Sequence, residues 1–411
     1  MKLGRRTLGR NRWTLACATV LLAIGTNAHA APVKSTGHTA AVARPAAKPA
    51  DSTFARAHAA LQRGDRTTAL ALYEKAVTRT PEDHRLWKVI GDLRWSLERA
   101  APAVDAWRQA EALAPWNAEL AERVARGGVK LGDYALAAEA QARVVDIIAS
   151  QVDAGYRGPV KDLGTGAHLG VDEALHRHLG MLSELAVLAG DFTAAERAAR
   201  RLIRLAPEAV DGRLALAYVH LHGAEYDDAA DLYQEVLEVE PENTTALNNL
   251  GNIEYMRRDF DRAGALFERI LEAPEASPYA QSIAMANLGE LYQINRAFAP
   301  AKDLYRQAIE LQPHGAWGYM GLAALLDVSG DYDAAVDAMI DGWERDQNRL
   351  TRLNMHFYMD EWAWQRDALI AEIEGDLEMA EKLWRKVSAG EVEMLRKSAA
   401  WHLRALAAET R

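Results

Sequence analysis

The chain has 411 residues, with 48 lysines and arginines against 58 aspartates and glutamates, which gives a formal net charge of -10. This acidic balance argues against a nucleic-acid-binding protein, which needs a basic surface, and against electrostatic docking on anionic lipid. Cys17 is the single cysteine and lies in the N-terminal apolar run. If that run is cleaved, disulfides, thiolate metal sites and cysteine nucleophiles are excluded.

Residues 1–30 have the three parts of a secretory signal peptide. Arginines come first, the apolar run Trp13–Ile24 follows, and Ala28-His29-Ala30 forms a small-x-small cleavage site. The apolar run is too short to span a bilayer, so we expect no stable membrane insertion of the mature chain. The pattern predicts a cleaved signal and a periplasmic protein.

Two further features accompany the signal. Arg5 and Arg6 form a partial twin-arginine motif, so both general and twin-arginine export remain open. Residues 31–50 are rich in alanine and proline, which predicts a flexible linker.

A pattern of about 34 residues recurs after the linker, and it is most complete in Gln281–Pro313, QSIAMANLGELYQINRAFAPAKDLYRQAIELQP. Its regularly spaced residues are Leu288, Gly289, Tyr292, Ala301, Tyr305, Ala308 and Pro313. The small side chains let two antiparallel helices approach closely, and Leu288, Tyr292 and Tyr305 are predicted to fill the space beside them. Pro313 is predicted to end the second helix.

This spacing resembles the tetratricopeptide repeat family, of an exported bacterial type. The resemblance covers roughly residues 50–390. It implies an all-α fold, a right-handed α-solenoid of about nine helix pairs with a C-terminal capping helix. One helix pair cannot bury its apolar face alone, so neighbouring pairs must stack on it.

The predicted organisation follows the repeats and their interruptions. It consists of a signal peptide at 1–30, a linker at 31–50, repeats 1–3 at 51–151, a loop insertion at 152–175, repeats 4–8 at 176–349, an aromatic segment with a degenerate ninth repeat at 350–388, and a capping helix at 389–411.

Two of these segments allow more than one interpretation. The 152–175 insertion contains glycine and proline, so we expect a surface loop, with a partner-gripping flap as the alternative. Its GTG cluster does not fit a nucleotide-binding loop. The aromatic run Met355–Trp364 is expected to form core beneath the last repeats, and the alternative is an exposed docking surface.

The resemblance also implies a binding surface, since the first helix of each repeat lines the inner wall of such a solenoid. Asn249 and Asn287 fall at the sixth position of their repeats, where relatives often bind a peptide backbone. One amide both donates and accepts, so it pairs with any peptide unit. The predicted groove residues are Asn248, Asn249, Asn252, Tyr255, Asn287 and Gln293. The alternative, that these asparagines are solvated or bonded locally, stays open.

Other candidate sites are weaker. Lys88 and Trp95 resemble part of a carboxylate clamp, but Glu119 and Glu122 on the same wall oppose an acidic ligand. The pairs His176/His178 and His220/His222 are two residues apart, so on a helix the members of each pair point about 200° apart and cannot share one metal. We expect no cofactor and no metal.

The sequence therefore predicts a non-catalytic scaffold or adaptor in an envelope complex, which binds partner proteins or extended peptides on a concave face. The alternative is an accessory subunit of a polysaccharide synthesis, export or outer-membrane assembly machine. An enzyme with a site in the 152–175 insertion is a third possibility. It is disfavoured because the sequence lacks HExxH, GxSxG, Walker and CxxC motifs.

Overall fold

The structure is a computed structural model that describes residues 52–161, 166–345 and 361–409. The predicted signal peptide and linker lie outside the described residues, as does the 350–360 part of the aromatic segment. The described residues form 19 helices and two short strands. The chain divides into two compact units, residues 1–215 and 216–411.

The first unit contains four helix pairs and the start of a ninth helix. Its elements are α1 (Ser52–Gln62), α2 (Arg66–Val77), α3 (His84–Ser96), α4 (Ala100–Leu113), α5 (Ala118–Leu131), α6 (Tyr134–Asp153), β1 (Val160–Lys161), β2 (His168–Leu169), α7 (Val171–Leu188), α8 (Phe192–Leu205) and α9 (Asp211–His222), whose last residues belong to the second unit.

The second unit continues the pairing and ends with one further helix. Its elements are α10 (Tyr226–Val239), α11 (Thr244–Met256), α12 (Phe260–Glu272), α13 (Pro278–Ile294), α14 (Phe298–Leu311), α15 (Trp317–Val328), α16 (Tyr332–Arg345), α17 (Glu361–Glu374), α18 (Leu377–Ser388) and α19 (Glu393–Glu409). Consecutive helices pack on one another within each unit. The predicted all-α solenoid of helix pairs with a final C-terminal helix is confirmed.

The turns inside the pairs follow from a recurring Gly-Asp. Several of these glycines have positive φ, which costs glycine little, and they end the first helix: Gly64, Gly132, Gly190 and Gly375. The aspartate that follows accepts a hydrogen bond of 2.9–3.0 Å from the backbone N–H three residues on, at Asp65, Asp133, Asp191 and Asp376. That bond satisfies an N–H at the start of the second helix.

Aromatic rings of a second helix pack against glycines on the first helix of the same pair. A Cβ added to Gly289 would lie 2.7 Å from Cε1 of Tyr305, and one added to Gly251 would lie 2.5 Å from Cε1 of Phe267. Ala301 is also fully buried, as predicted. Tyr292 was expected to pack but is 40% exposed, in the last turn of α13.

The insertion between repeats three and four is shorter than the 152–175 range predicted as a loop. Helix α6 continues to Asp153 and α7 begins at Val171, directly after Gly170. Acidic residues in the first turn of α7 favour its early start. Between the helices, β1 and β2 pair antiparallel, with Val160 opposite Leu169.

Candidate functional site

Four asparagines on α11 and α13 are joined by hydrogen bonds, and we call them the asparagine ladder (Asn248, Asn249, Asn252 and Asn287). Nδ2 of Asn287 donates to Oδ1 of Asn248 at 2.9 Å and to Oδ1 of Asn252 at 3.4 Å. Nδ2 of Asn248 donates to Oδ1 of Asn249 at 3.3 Å. All four are half-buried. The structure therefore brings these four predicted groove residues together across two first helices.

Asn249 also supports the core. Its Nδ2 donates to the phenol oxygen of Tyr233 at 3.0 Å, and Tyr233 is fully buried. Burial raises the pKa of Tyr233, so the phenol stays neutral and requires a polar partner inside the protein. Asn249 is thus a structural residue as well as a member of the ladder.

Tyr255 and Gln293 do not line a groove, contrary to the prediction, because they are 6% and 3% exposed. Oε1 of Gln293 accepts a 3.0 Å hydrogen bond from the buried phenol of Tyr305. The phenol of Tyr255 donates to Oε1 of Glu290 at 3.1 Å. A buried phenol hydroxyl requires a polar partner. Gln293 is that partner for Tyr305, and Glu290 is that partner for Tyr255.

An ion pair that sequence reasoning missed lies beside the ladder. Nη1 of Arg366 on α17 lies 2.9 Å from Oε2 of Glu290 on α13, and both side chains are largely buried. Arg366 occupies the sixth position of the degenerate ninth repeat, which was the one available signal. Because the charge of Arg366 is balanced by Glu290, this pair adds no net charge beside the ladder.

Sequence models of the tetratricopeptide repeat family match four segments of this chain. One matches residues 54–118, 181–238 and 223–280, and a second matches residues 283–314. These matches fall on helix pairs that the structure forms. The matched segments carry tetratricopeptide repeats.

Several solved structures are similar to this chain. A tetratricopeptide repeat protein from Parabacteroides merdae ATCC 43184 is 13% identical, with 63% of this chain and 92% of that chain covered, at a TM-score of 0.41. Yeast Tom70 is 14% identical, with 87% of this chain and 96% of that chain covered, at a TM-score of 0.37. PilF of Pseudomonas aeruginosa is 19% identical, with 55% of this chain and 96% of that chain covered, at a TM-score of 0.38. No curated protein sequence matches this chain.

The first helices of repeats two and three carry a closed charge network. Nζ of Lys88 lies 3.4 Å from Asp92 and 3.5 Å from Glu119, and Arg123 lies 2.8 Å and 2.9 Å from the same two carboxylates. The carboxylates therefore already neutralise Lys88, in line with the expectation that it forms no clamp. Trp95 packs against Trp107 with ring centroids 5.3 Å apart.

The histidine pair of repeat four binds separate partners. His176 Nε2 lies 3.0 Å from Oδ2 of Asp211. The buried His178 instead forms a 2.9 Å hydrogen bond between its Nδ1 and Nε2 of Gln141. The two rings therefore do not converge on one point, as the helical spacing predicted.

A serine, a histidine and an aspartate meet under the final helix without forming a catalytic triad. His402 Nε2 lies 2.9 Å from Oδ1 of Asp327, and Ser398 Oγ donates to Oδ2 of the same aspartate at 2.5 Å. The hydroxyl therefore bonds the carboxylate and not the imidazole that would activate it. All three side chains are fully buried. This network is structural.

The same histidine holds a second carboxylate. His402 Nδ1 lies 2.8 Å from Oε1 of Glu372, which also accepts a 2.6 Å hydrogen bond from Nε1 of Trp384. Desolvation favours the neutral imidazole, but the hydrogen bonds and charges of Asp327 and Glu372 outweigh it and raise the pKa of His402 to about 9. We call His402, Asp327, Glu372 and Ser398 the cap network.

In the part of the chain that the structure describes, none of the helices combines the length and apolar character that a membrane span requires.

Proposed function

We propose that this protein is a non-catalytic scaffold of the cell envelope, which binds an extended segment of a partner protein along the asparagine ladder of its second unit. Tetratricopeptide repeats generally serve protein interaction, and repeated helix pairs provide an extended surface for it. The observation that carries the proposal is the ladder itself: four amide side chains brought together on two adjacent first helices.

The ladder has the chemistry to bind a peptide backbone. A primary amide offers two N–H donors and a carbonyl with two lone pairs. Asn248 uses one amide hydrogen on Asn249 and one carbonyl position for Asn287. One further donor and one further acceptor position of Asn248 are thus available to a ligand. An extended peptide presents alternating N–H and C=O groups that match this pair.

The neutral surroundings favour backbone recognition over recognition by charge. Glu290 beside the ladder is bonded to Arg366 and Tyr255, so no net charge there selects an acidic or basic ligand. We therefore infer a partner segment that is extended and recognised mainly through its main chain.

The cell-envelope location rests on the N-terminal sequence pattern, with its basic start, apolar run and small-x-small site. A periplasmic scaffold of this kind would act in an envelope complex.

The test is affinity capture with the full-length, epitope-tagged protein from the envelope fraction, followed by mass spectrometry. We compare the wild type with Asn248→Ala/Asn287→Ala, which spares Asn249 and its bond to Tyr233. Arg306→Ala, on the exposed side of α14, is the matched control.

The expected result is a partner recovered with wild type and control, and reduced about tenfold or more with the double variant, which corresponds to about 1.4 kcal/mol. Circular dichroism melts verify that the variant is folded. Equal recovery by a folded double variant would remove the ladder from the function. Finding the protein only in the cytosol would refute the envelope location, and capture of a glycan-export component would identify the type of complex.

A further inference from the structure

Three potential metal ligands meet at the turn between α9 and α10. The imidazole of His220 and the carboxylates of Glu225 and Asp228 present ligand atoms that all lie within 4.8 Å of one another. We propose that these residues form a binding site for a divalent transition-metal ion of the Zn²⁺ type, independent of the asparagine ladder.

The turn itself positions two of the ligands. The backbone N–H of Glu225 donates to the carbonyl of His220 at 2.9 Å, which closes the turn and brings the Glu225 side chain back towards the imidazole. Nδ1 of His220 and Oε2 of Glu225 are in hydrogen-bond contact. Where other repeats have a capping aspartate, Glu225 makes no side-chain cap, and its longer side chain reaches the histidine.

The third ligand follows from helix geometry. Asp228 lies three residues after Glu225 in the first turn of α10, so the two side chains share one face. The His220 side chain is only 15% exposed, whereas the two carboxylates are exposed. Ligands of one tetrahedral ion lie roughly 3.4 Å apart, given metal–ligand distances near 2.1 Å. The ligand atoms here lie up to 4.8 Å apart, and rotation of the exposed carboxylates can bring them to that spacing without moving the backbone.

The ligand set selects the type of ion. Imidazole nitrogen with carboxylate oxygen suits Zn²⁺ and its neighbours, whereas Ca²⁺ and Mg²⁺ prefer shells of oxygen ligands only. Three protein ligands leave a fourth tetrahedral position for water.

The surroundings provide access and attraction for a cation. A cavity of about 420 Å³ adjoins the turn and is lined by both Glu225 and Asp228. Arg257 on the cavity wall pairs with Asp227 and Glu254. The segment from 225 to 242 has eight acidic residues and no basic one: Glu225, Asp227, Asp228, Asp231, Glu235, Glu238, Glu240 and Glu242. This charge raises the local concentration of divalent cations.

A bound ion would link the end of α9 to the start of α10. Since the unfolded chain does not hold the three ligands together, the ion would bind the folded state and raise its melting temperature. This gives a readout that needs no partner protein.

The experiment is calorimetric titration of the full chain, without a polyhistidine tag and after chelator treatment, with Zn²⁺ alone, paired with thermal melts. We expect one ion per chain and a higher melting temperature with Zn²⁺. His220→Ala is expected to abolish this binding, and Asp228→Asn to weaken it at least tenfold. Asp228 is exposed, so its variant tests the site even if His220→Ala does not fold.

Glu238→Gln is the matched control, because it removes one negative charge from the same helix at a position away from the turn. It should bind Zn²⁺ like the wild type. An equal loss in Glu238→Gln and Asp228→Asn would reduce the site to a general acidic field and overturn the proposal. Undiminished binding by folded His220→Ala, or equal affinity for Mg²⁺ and Ca²⁺, would overturn it as well.

Discussion

At the scale of single residues, the fold depends on positions where a first helix has no side chain and a ring from the second helix occupies the space. Gly289 with Tyr305 and Gly251 with Phe267 show this contact. Another helical glycine has no such partner. Gly264 in α12 would place a Cβ 3.6 Å from Cδ1 of Leu291, an ordinary contact distance. The same residue type therefore has opposite consequences at the two sites.

Gly289→Ala is expected to destabilise the second unit by about 1–3 kcal/mol, because the added methyl group overlaps the Tyr305 ring. Gly264→Ala should be neutral or stabilise by up to about 1 kcal/mol, since alanine favours helix where there is room. Urea unfolding followed by circular dichroism measures both. Shifts of the same sign in the two variants would contradict the packing argument.

Asn249→Ala is expected to cost about 1–3 kcal/mol, because it removes the donor to the buried Tyr233 hydroxyl. Tyr233→Phe added to that variant should restore much of the loss, since no buried hydroxyl is then left without its partner. A double-mutant cycle of thermal or urea unfolding yields the coupling between the two residues. Simple additivity of the two single effects would show that the bond does not matter.

At the scale of elements, α19 is attached to the second unit by charge as well as by apolar packing. The cap network joins Ser398 and His402 of α19 to Asp327 of α15 and Glu372 of α17. The imidazole also stacks on Trp384 of α18, with centroids 4.1 Å apart. Tyr332 of α16 completes the surroundings in edge contact with the ring. The buried Asp327 and the half-buried Glu372 thus share one histidine, which favours the imidazolium form.

The cap network predicts a specific pH dependence. The pKa of His402 is raised from 6.5 to about 9 on folding, so its protonation contributes stability that is fully present below pH 6.5 and is lost as the pH rises through 9. The contribution is on the order of 3 kcal/mol. His402→Gln should therefore lower the melting temperature at pH 6, and the difference from wild type should shrink towards pH 10.

His314→Gln is the control for this measurement, because His314 is exposed in the same unit. It should follow the wild-type melting curve throughout. A difference between wild type and His402→Gln that stays constant or grows with pH would show that the imidazole is neutral in the folded protein.

At the scale of the whole molecule, the two features that we propose for binding both lie in the second unit. In the first unit, the cation that suggested a clamp is neutralised by Asp92 and Glu119. The second unit has the asparagine ladder and the acidic turn at His220. The proposed scaffold would accordingly recognise its partner through amide groups, while the turn would respond to metal ions separately.

Much of the fold was predictable because tetratricopeptide packing is local. Gly-Asp turns, recurring small residues and rings at fixed intervals each act within one pair or between neighbouring pairs, so their spacing in the chain reports their spacing in space. The candidate site was predictable only in part. Its four asparagines do come together. Helical spacing alone, however, does not show which amide side chains face solvent, and Gln293 is buried, where it accepts a hydrogen bond from Tyr305.

By itself, the amino-acid sequence determined the helix pairs, their order, the final helix and the acidic character of the protein. Tertiary structure alone decided which distant polar side chains bond each other, since Arg366 meets Glu290 and His402 meets Asp327. The physical reason is that a helix pair is set by short-range backbone and packing preferences. The partner of a half-buried polar group depends instead on rotamers and on neighbouring helices far along the chain.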